Sequence, residues 1–394
     1  MRKILVYDDE KQFTETLQAR IAGVAALKGS FRVTPLKQDD FAASVAALSD
    51  RQKAFRTSRE VGTDQLPLDD ADILVVDYDL LSSNAGPLLT GETVAYLARC
   101  FSSCGLIIGV NQYGENPFDL TLKGHLESFA DLNVGWLQLS NQNLWATRKR
   151  GFRPWRWPIL PDYLHSFDAK VSDVKASLAQ DLPIWQVIGF SPELFDALPS
   201  SIAEFVGPDP RTATFRQAVL QSGSALRRKD ATCTRNEEVI ARVGAARISK
   251  WLERWVLPEQ DIIVDAPHLV SRYPSLINGD VTDIEAWNKT AELTSHDKLG
   301  LRVDVIDPFR LKRDHWISRP VWFWDQLREC EEILEVSEPW SVELPNWAFC
   351  EDASRFYDHT QCSEFVADTE SPFARRFVRR FKGVQYRPKV RLSL

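Results

Sequence analysis

Three aspartates stand where short apolar runs stop. Lys3 to Tyr7 ends in Asp8-Asp9-Glu10, and Ile73 to Val76 ends in Asp77. Carboxylates gathered within a few ångströms repel one another and raise each other's pKa unless a cation joins them. Hard oxygen donors with water in the remaining positions suit Mg²⁺. A carboxylate such as Asp77 beside that cation is a nucleophile for a phosphoryl donor, with the metal neutralising the equatorial oxygens. Aspartates at strand ends also serve simply as helix caps or solvated turn residues. Three of them in one register favour the pocket over the caps.

Other groups with chemistry are weaker. Asp265, His268 and Arg272 fall within one short stretch, DAPHLVSR, and an aspartate three residues from a histidine can orient an imidazole as a general base. No serine or cysteine elbow and no glycine-rich phosphate loop accompanies them, so a structural histidine is the preferred reading. Cys330, Cys350, His359 and Cys362 have zinc-ligand chemistry, but only His359 and Cys362 are close in sequence, and structural zinc sites usually contain a tight paired knuckle. Zinc is therefore the lesser expectation and scattered thiols the default.

Two basic segments could meet a partner. Residues 148–164, RKRGFRPWRWPILPDYL, hold three prolines, two tryptophans and five basic side chains. They read as a stiff connector whose tryptophans pack between domains, ahead of a strip for stacking nucleic-acid bases. In 371–391, a helix starting after Pro372 would carry Phe373, Phe377 and Phe381 every four residues, with Arg375, Arg376, Arg379, Arg380 and Lys382 over much of its remaining surface. Such a helix suits docking on the protein's own acidic surface, on a second copy or on another protein, with nucleic-acid phosphate as the alternative.

The elements that must position the acidic cluster follow from periodicity. Strand candidates at Lys3–Tyr7, Phe31–Leu36, Ile73–Val76, Leu106–Val110 and, more weakly, Leu132–Leu139 alternate with helical patterns at 11–26, up to Leu48, and at Gly91–Cys100. This predicts an open five-stranded parallel sheet with helices on both faces, binding its ligand beyond the carboxyl ends of the strands. From about residue 166 the pattern is mainly helical, at 167–182, 192–206, 212–228 and 236–256. The expected organisation is an α/β domain over 1–145, a Pro/Trp-rich connector over 146–165, and a mainly α-helical effector or partner-binding domain over 166–394.

KILVYDDE (3–10) followed by DILVVDYDLL (72–81) resembles the response-regulator receiver family over about a third of the chain. The resemblance implies a flavodoxin-like fold, with Asp8 and Asp9 as metal-binding acids, Asp77 as the phospho-acceptor and the Asp79 backbone carbonyl as a further Mg²⁺ ligand. It also implies a histidine kinase or another signalling protein as partner. The chain departs from the family at two places. Asn111 replaces the hydroxyl residue expected after the fourth strand, and ADLNVGWLQLS (130–140) lacks the lysine expected after the fifth, leaving Gln138 as the nearest polar side chain. Three readings stay open: a phosphorylated regulator, a pseudo-receiver that serves as a docking surface without phosphorylation, and a nucleic-acid-binding regulator using the basic C-terminal tail.

A regulatory or interaction protein is expected ahead of an enzyme, and composition allows two domains. With 394 residues, 44% of them hydrophobic, the chain can bury two cores. The net charge is −7, yet the last 24 residues carry eight basic groups and no acidic one, so the other 370 balance at −15. Six scattered cysteines and the absence of any run near the roughly 20 apolar residues of a membrane span lead to the expectation of a cytoplasmic protein with reduced thiols and no membrane contact.

Overall fold

The structure is a computed structural model that describes residues 1–24, 29–57, 65–80, 89–111, 127–135, 137–146, 150–221, 236–334, 346–367, 369, 374–384 and 386. Arg148 of the basic strip, Cys233 and Phe373 lie outside the described residues, as does the end of the tail beyond 386.

The N-terminal part is a five-stranded, all-parallel sheet in the order β2-β1-β3-β4-β5. Its strands are β1 (Arg2–Tyr7), β2 (Phe31–Pro35), β3 (Ile73–Asp77), β4 (Leu106–Val110) and β5 (Leu132–Val134). The helices α1 (Lys11–Ala22), α2 (Gln38–Thr57) and α3 (Gly91–Phe101) alternate with them. The strand order, and the alternation among the described residues, are compatible with a flavodoxin-like α/β fold. β3 and β4 are apolar without alternation because both faces of a parallel sheet are covered. Leu5, Tyr7, Leu74 and Val76 face α2 and α3 in one core, while Ile4, Val6, Ile73 and Val75 join Leu17 and Ile21 of α1 in another. The period-two split of each strand builds both cores at once.

The chain beyond the sheet is fused to these cores. Trp157, Leu160 and Leu164 complete the core on the α1 face, and Trp155 enters the larger core on the other side. Both tryptophans are buried, so neither offers a face to a nucleic-acid base, and the stacking reading of the strip is overturned. Helix α4 (Leu160–Leu178) starts inside the expected connector. It leads to the short helices α5 (Ile184–Ile188), α6 (Pro192–Asp196), α7 (Ser200–Ala203) and α8 (Phe215–Gln221). The long α9 (Glu237–Trp251) begins at Asn236, whose side chain accepts the Val239 N–H at 3.1 Å, and it packs against both α4 and α3.

The second part is less helical than its periodicity predicts. After α9 and a π-helical turn (Leu252–Val256) come α10 (Leu257–Glu259), strand β6 (Ile263–Asp265) and α11 (Ala266–Arg272), with β6 paired to β7 (Val321–Phe323). A four-stranded mixed sheet then forms from β8 (Trp347–Cys350), β9 (Arg355–Asp358), β10 (Ser363–Val366) and β11 (Arg375–Val378) in the order β10-β11-β8-β9. The basic segment is therefore a strand where a helix was expected. Glu364 and Cys350 flank Phe377 on either side, and the inward positions of β11 are Arg376 and Val378.

Candidate functional site: an acidic pocket at the switch point

In the order 2-1-3-4-5 the chain leaves β1 toward one side of the sheet and later returns to the other, so a crevice opens between the carboxyl ends of β1 and β3. Tyr7 pairs with Val76 across that line, which places Asp8 and Asp77 level at its mouth. Both aspartates and Asp9 are half-buried.

The backbone around them is held from three sides. The Asp8 N–H donates to Thr14 Oγ1 at 3.0 Å, and the Thr14 hydroxyl donates back to the Asp8 carbonyl at 2.9 Å, so the first turns of α1 fix the end of β1. Asp8 Oδ1 accepts the Glu10 N–H at 2.9 Å, and Asp77 Oδ2 accepts the Asp79 N–H at 2.8 Å. The Tyr78 N–H donates to the Val110 carbonyl at 3.0 Å, and the Gly91 N–H to the Tyr78 carbonyl at 2.8 Å. A Cβ on Gly91 would stand 2.2 Å from the Asp77 carbonyl oxygen. Glycine is thus required where α3 starts against the phospho-acceptor candidate.

The electrostatics are those of crowded acids. Burial, with the charge of Asp9 added, pushes the Asp8 carboxyl up to about 6. Burial and then the charge of Asp8 push Asp77 up to about 7. Near neutral pH the pair resists full ionisation, and a divalent cation would relieve both the desolvation and the repulsion. Among the described residues no three His, Cys, Asp or Glu side chains form a ready-made ligand set. Mg²⁺ fits such a pocket nonetheless, because it is usually held by one or two carboxylates and keeps several waters.

The switch positions lie along the same edge. Asn111 follows β4, is buried, and donates its N–H to the Val134 carbonyl at 2.8 Å. Gln138 is half-buried in the 3-10 turn Gln138–Ser140 that follows β5. A polar route leaves α3 for the second part of the chain. Glu92, in the first turn of α3, accepts the Ser128 hydroxyl and the Phe129 N–H, each at 2.6 Å. The carbonyls of Ser128 and Ala130 accept the ammonium of Lys250, which is buried at the end of α9. Thr14, Gly91, Glu92 and Lys250 were not identifiable from sequence. Only the glycine opening α3 could have drawn attention.

The remaining candidates resolve differently. Asp265 Oδ1 lies 2.6 Å from His268 Nδ1, and Asp265 Oδ2 accepts Trp155 Nε1–H at 2.6 Å with the Arg319 guanidinium at 3.4 Å. His268 Nε2 is 3.8 Å from Glu351, which pairs with Arg376 at 2.8 Å. Burial raises both acids, but His268 and then Arg319 outweigh it at Asp265, and Arg376 then His268 at Glu351, holding each at about 2. Arg272 turns instead to the Gln260 carbonyl and the Trp324 ring. With His268 wedged between the rings of Trp155 and Phe349, this is an internal ion-pair hub joining the connector, β6, β8 and β11.

The zinc set does not assemble. Cys350 and Cys362 converge, while His359 packs its ring on Phe377. The five basic residues of the tail do not share one face either. Arg376 is inside the hub, Arg375 pairs with Glu364 at 2.6 Å, Arg379 donates to the Gln361 carbonyl over the Tyr357 ring, and Arg380 and Lys382 are exposed. No helix among the described residues is long and apolar enough to cross a membrane.

No family model, curated protein or solved structure matches this chain.

Proposed function

We propose that the N-terminal part of this protein is a receiver-type module in which Asp77 accepts a phosphoryl group, with Mg²⁺ held by Asp8, Asp9, Asp77 and the Asp79 carbonyl, and with a histidine kinase as donor. The observation that carries the proposal is the coincidence of the acid pair ending β1 and the acid ending β3 at the switch point between those strands. Mg²⁺, when bound, neutralises the carboxylates and the oxygens of the transferring group. Asp77 attacks phosphorus through a carboxylate oxygen. The donor's N–P bond breaks, its imidazole leaves, and an acyl phosphate remains on Asp77. Asn111 at the end of β4 takes the place of a hydroxyl donor toward that group.

The output follows the polar route. Gly91 and Glu92 open α3 against Asp77, Glu92 holds Ser128, and Ser128 holds Lys250 of α9. A phosphoryl group at Asp77 therefore acts first on the start of α3, and through it on the packing of α9.

Incubation with acetyl phosphate and Mg²⁺, followed by intact mass measurement, tests the proposal. The expected result is a gain of one phosphoryl group that Asp77→Asn abolishes. No gain, or a gain that persists in Asp77→Asn, overturns it. The first of these outcomes favours the pseudo-receiver reading, which the missing lysine after β5 supports and which predicts that Asp77→Asn leaves partner binding unchanged.

A further inference from the structure

Cys350 and Cys362 are twelve residues apart in sequence, and their sulfurs lie 3.2 Å apart. The antiparallel pair β8–β9 carries the chain away and the turn His359–Gln361 brings it back, so their approach needs no rearrangement of the strands. Cys350 is buried at the end of β8, and Cys362 is partly open to solvent just before β10. Both thiols are free.

We propose that Cys350 and Cys362 are a redox modification site that closes to a reversible intramolecular disulfide under hydrogen peroxide. The sulfur of Cys362, the accessible member, attacks one peroxide oxygen. The O–O bond breaks, the departing oxygen takes the thiol proton to leave as water, and Cys362 becomes a sulfenic acid. The sulfur of Cys350 then attacks the Cys362 sulfur. The S–O bond breaks, and the hydroxyl leaves with the Cys350 proton as a second water. Two thiols and one peroxide thus yield one disulfide and two waters, and a dithiol reductant reverses the oxidation by exchange.

The surroundings favour a bond that persists once made. Burial and the neighbouring Cys362 and Asp352 push the Cys350 thiol up, and burial raises Cys362 as well. An unstabilised thiolate pair slows the attack but leaves the oxidised form harder to reduce, the reverse of an oxidant dithiol whose reduced form is stabilised.

The bond would join the two segments that hold the chain after β11. Asp352, two residues beyond Cys350, accepts the Arg379 N–H at 2.8 Å, the Arg380 N–H at 2.9 Å and the Tyr386 hydroxyl at 2.6 Å. Gln361, adjacent to Cys362, accepts the Arg379 guanidinium. Oxidation therefore clamps the anchorage of the basic segment, which in the reduced protein depends on hydrogen bonds.

The test treats the full chain with hydrogen peroxide, blocks remaining thiols with N-ethylmaleimide after denaturation, and maps the peptides. Two of the six cysteines should become unreactive and appear as one Cys350–Cys362 linked peptide, with both restored by dithiothreitol. Cys362→Ala, at the more exposed position, should lose the link while keeping the wild-type circular dichroism spectrum. Trypsin should cut after Arg380 and Lys382 several-fold more slowly in the oxidised protein. Full alkylation after peroxide, a link to a different cysteine, or protection of the two thiols by one equivalent of zinc overturns the site. An unchanged cleavage rate in a verified disulfide overturns the clamp.

Discussion

Asp77 owes its setting to a residue that has no side chain. The carbonyl of Asp77 and the start of α3 meet at Gly91, where even a methyl group would fall 2.2 Å from the Asp77 oxygen, so the helix reaches the end of β3 only because nothing projects from that position. Gly91→Ala should force β3 and α3 apart, at a cost of about 1–3 kcal/mol for inserting a group into a filled space. Urea unfolding measures that cost. Calorimetry with Mg²⁺ should show weakened binding, because the Asp77 carbonyl and the turn carrying Asp79 shift together. Unchanged Mg²⁺ affinity in a destabilised Gly91→Ala would mean that the start of α3 does not set the pocket. The acids of this site were legible because each terminates an apolar run. Gly91 and Thr14 were not, because a glycine opening a helix or a threonine six residues past an aspartate has many ordinary uses.

β11 shows how a periodicity can mislead at the scale of an element. Positions four apart share a face on a helix, but they also share one on a strand, since four is a multiple of two. The spacing of Phe377 and Phe381 alone therefore does not decide between the two; the strand forms at Arg375–Val378, where β8 and β10 offer their edges on either side, and stops before Phe381. The same event turns Arg376 from a surface cation into the partner of Glu351 inside the hub. Arg376→Ala would leave Glu351 buried without its strongest compensating charge, and it should cost about 3–5 kcal/mol in chemical denaturation. The exposed Arg380→Ala should change stability little. Equal small effects from both would return the tail to a surface role. The parallel sheet was legible since its strands are continuous apolar runs with both faces covered. The strands β8 to β11 were not, as each is only four residues long and the two hairpins join into one sheet only where β11 meets β8, far earlier in the chain.

At the scale of the whole molecule, the two parts are joined through α9, whose Lys250 is buried and reaches the carbonyls of Ser128 and Ala130 beneath β5. Burial lowers this ammonium to about 7 from the ordinary lysine value of 10.5. Below about pH 7 the group is charged in both the folded and unfolded chains, and the desolvation cost is fully present. Between that value and 10.5 the unfolded chain binds more protons at this position than the folded one, so stability rises with pH, by up to about 1.4 kcal/mol per unit. Lys250→Met removes the titration and leaves the two carbonyls without their donor. The stability of the wild type relative to Lys250→Met should therefore grow as pH is raised from 7 toward 10, when both are unfolded in urea at each pH. A difference that stays constant over that range would show Lys250 to be protonated throughout in the fold. The polar route from α3 through Ser128 to α9 would then end on a fixed charge.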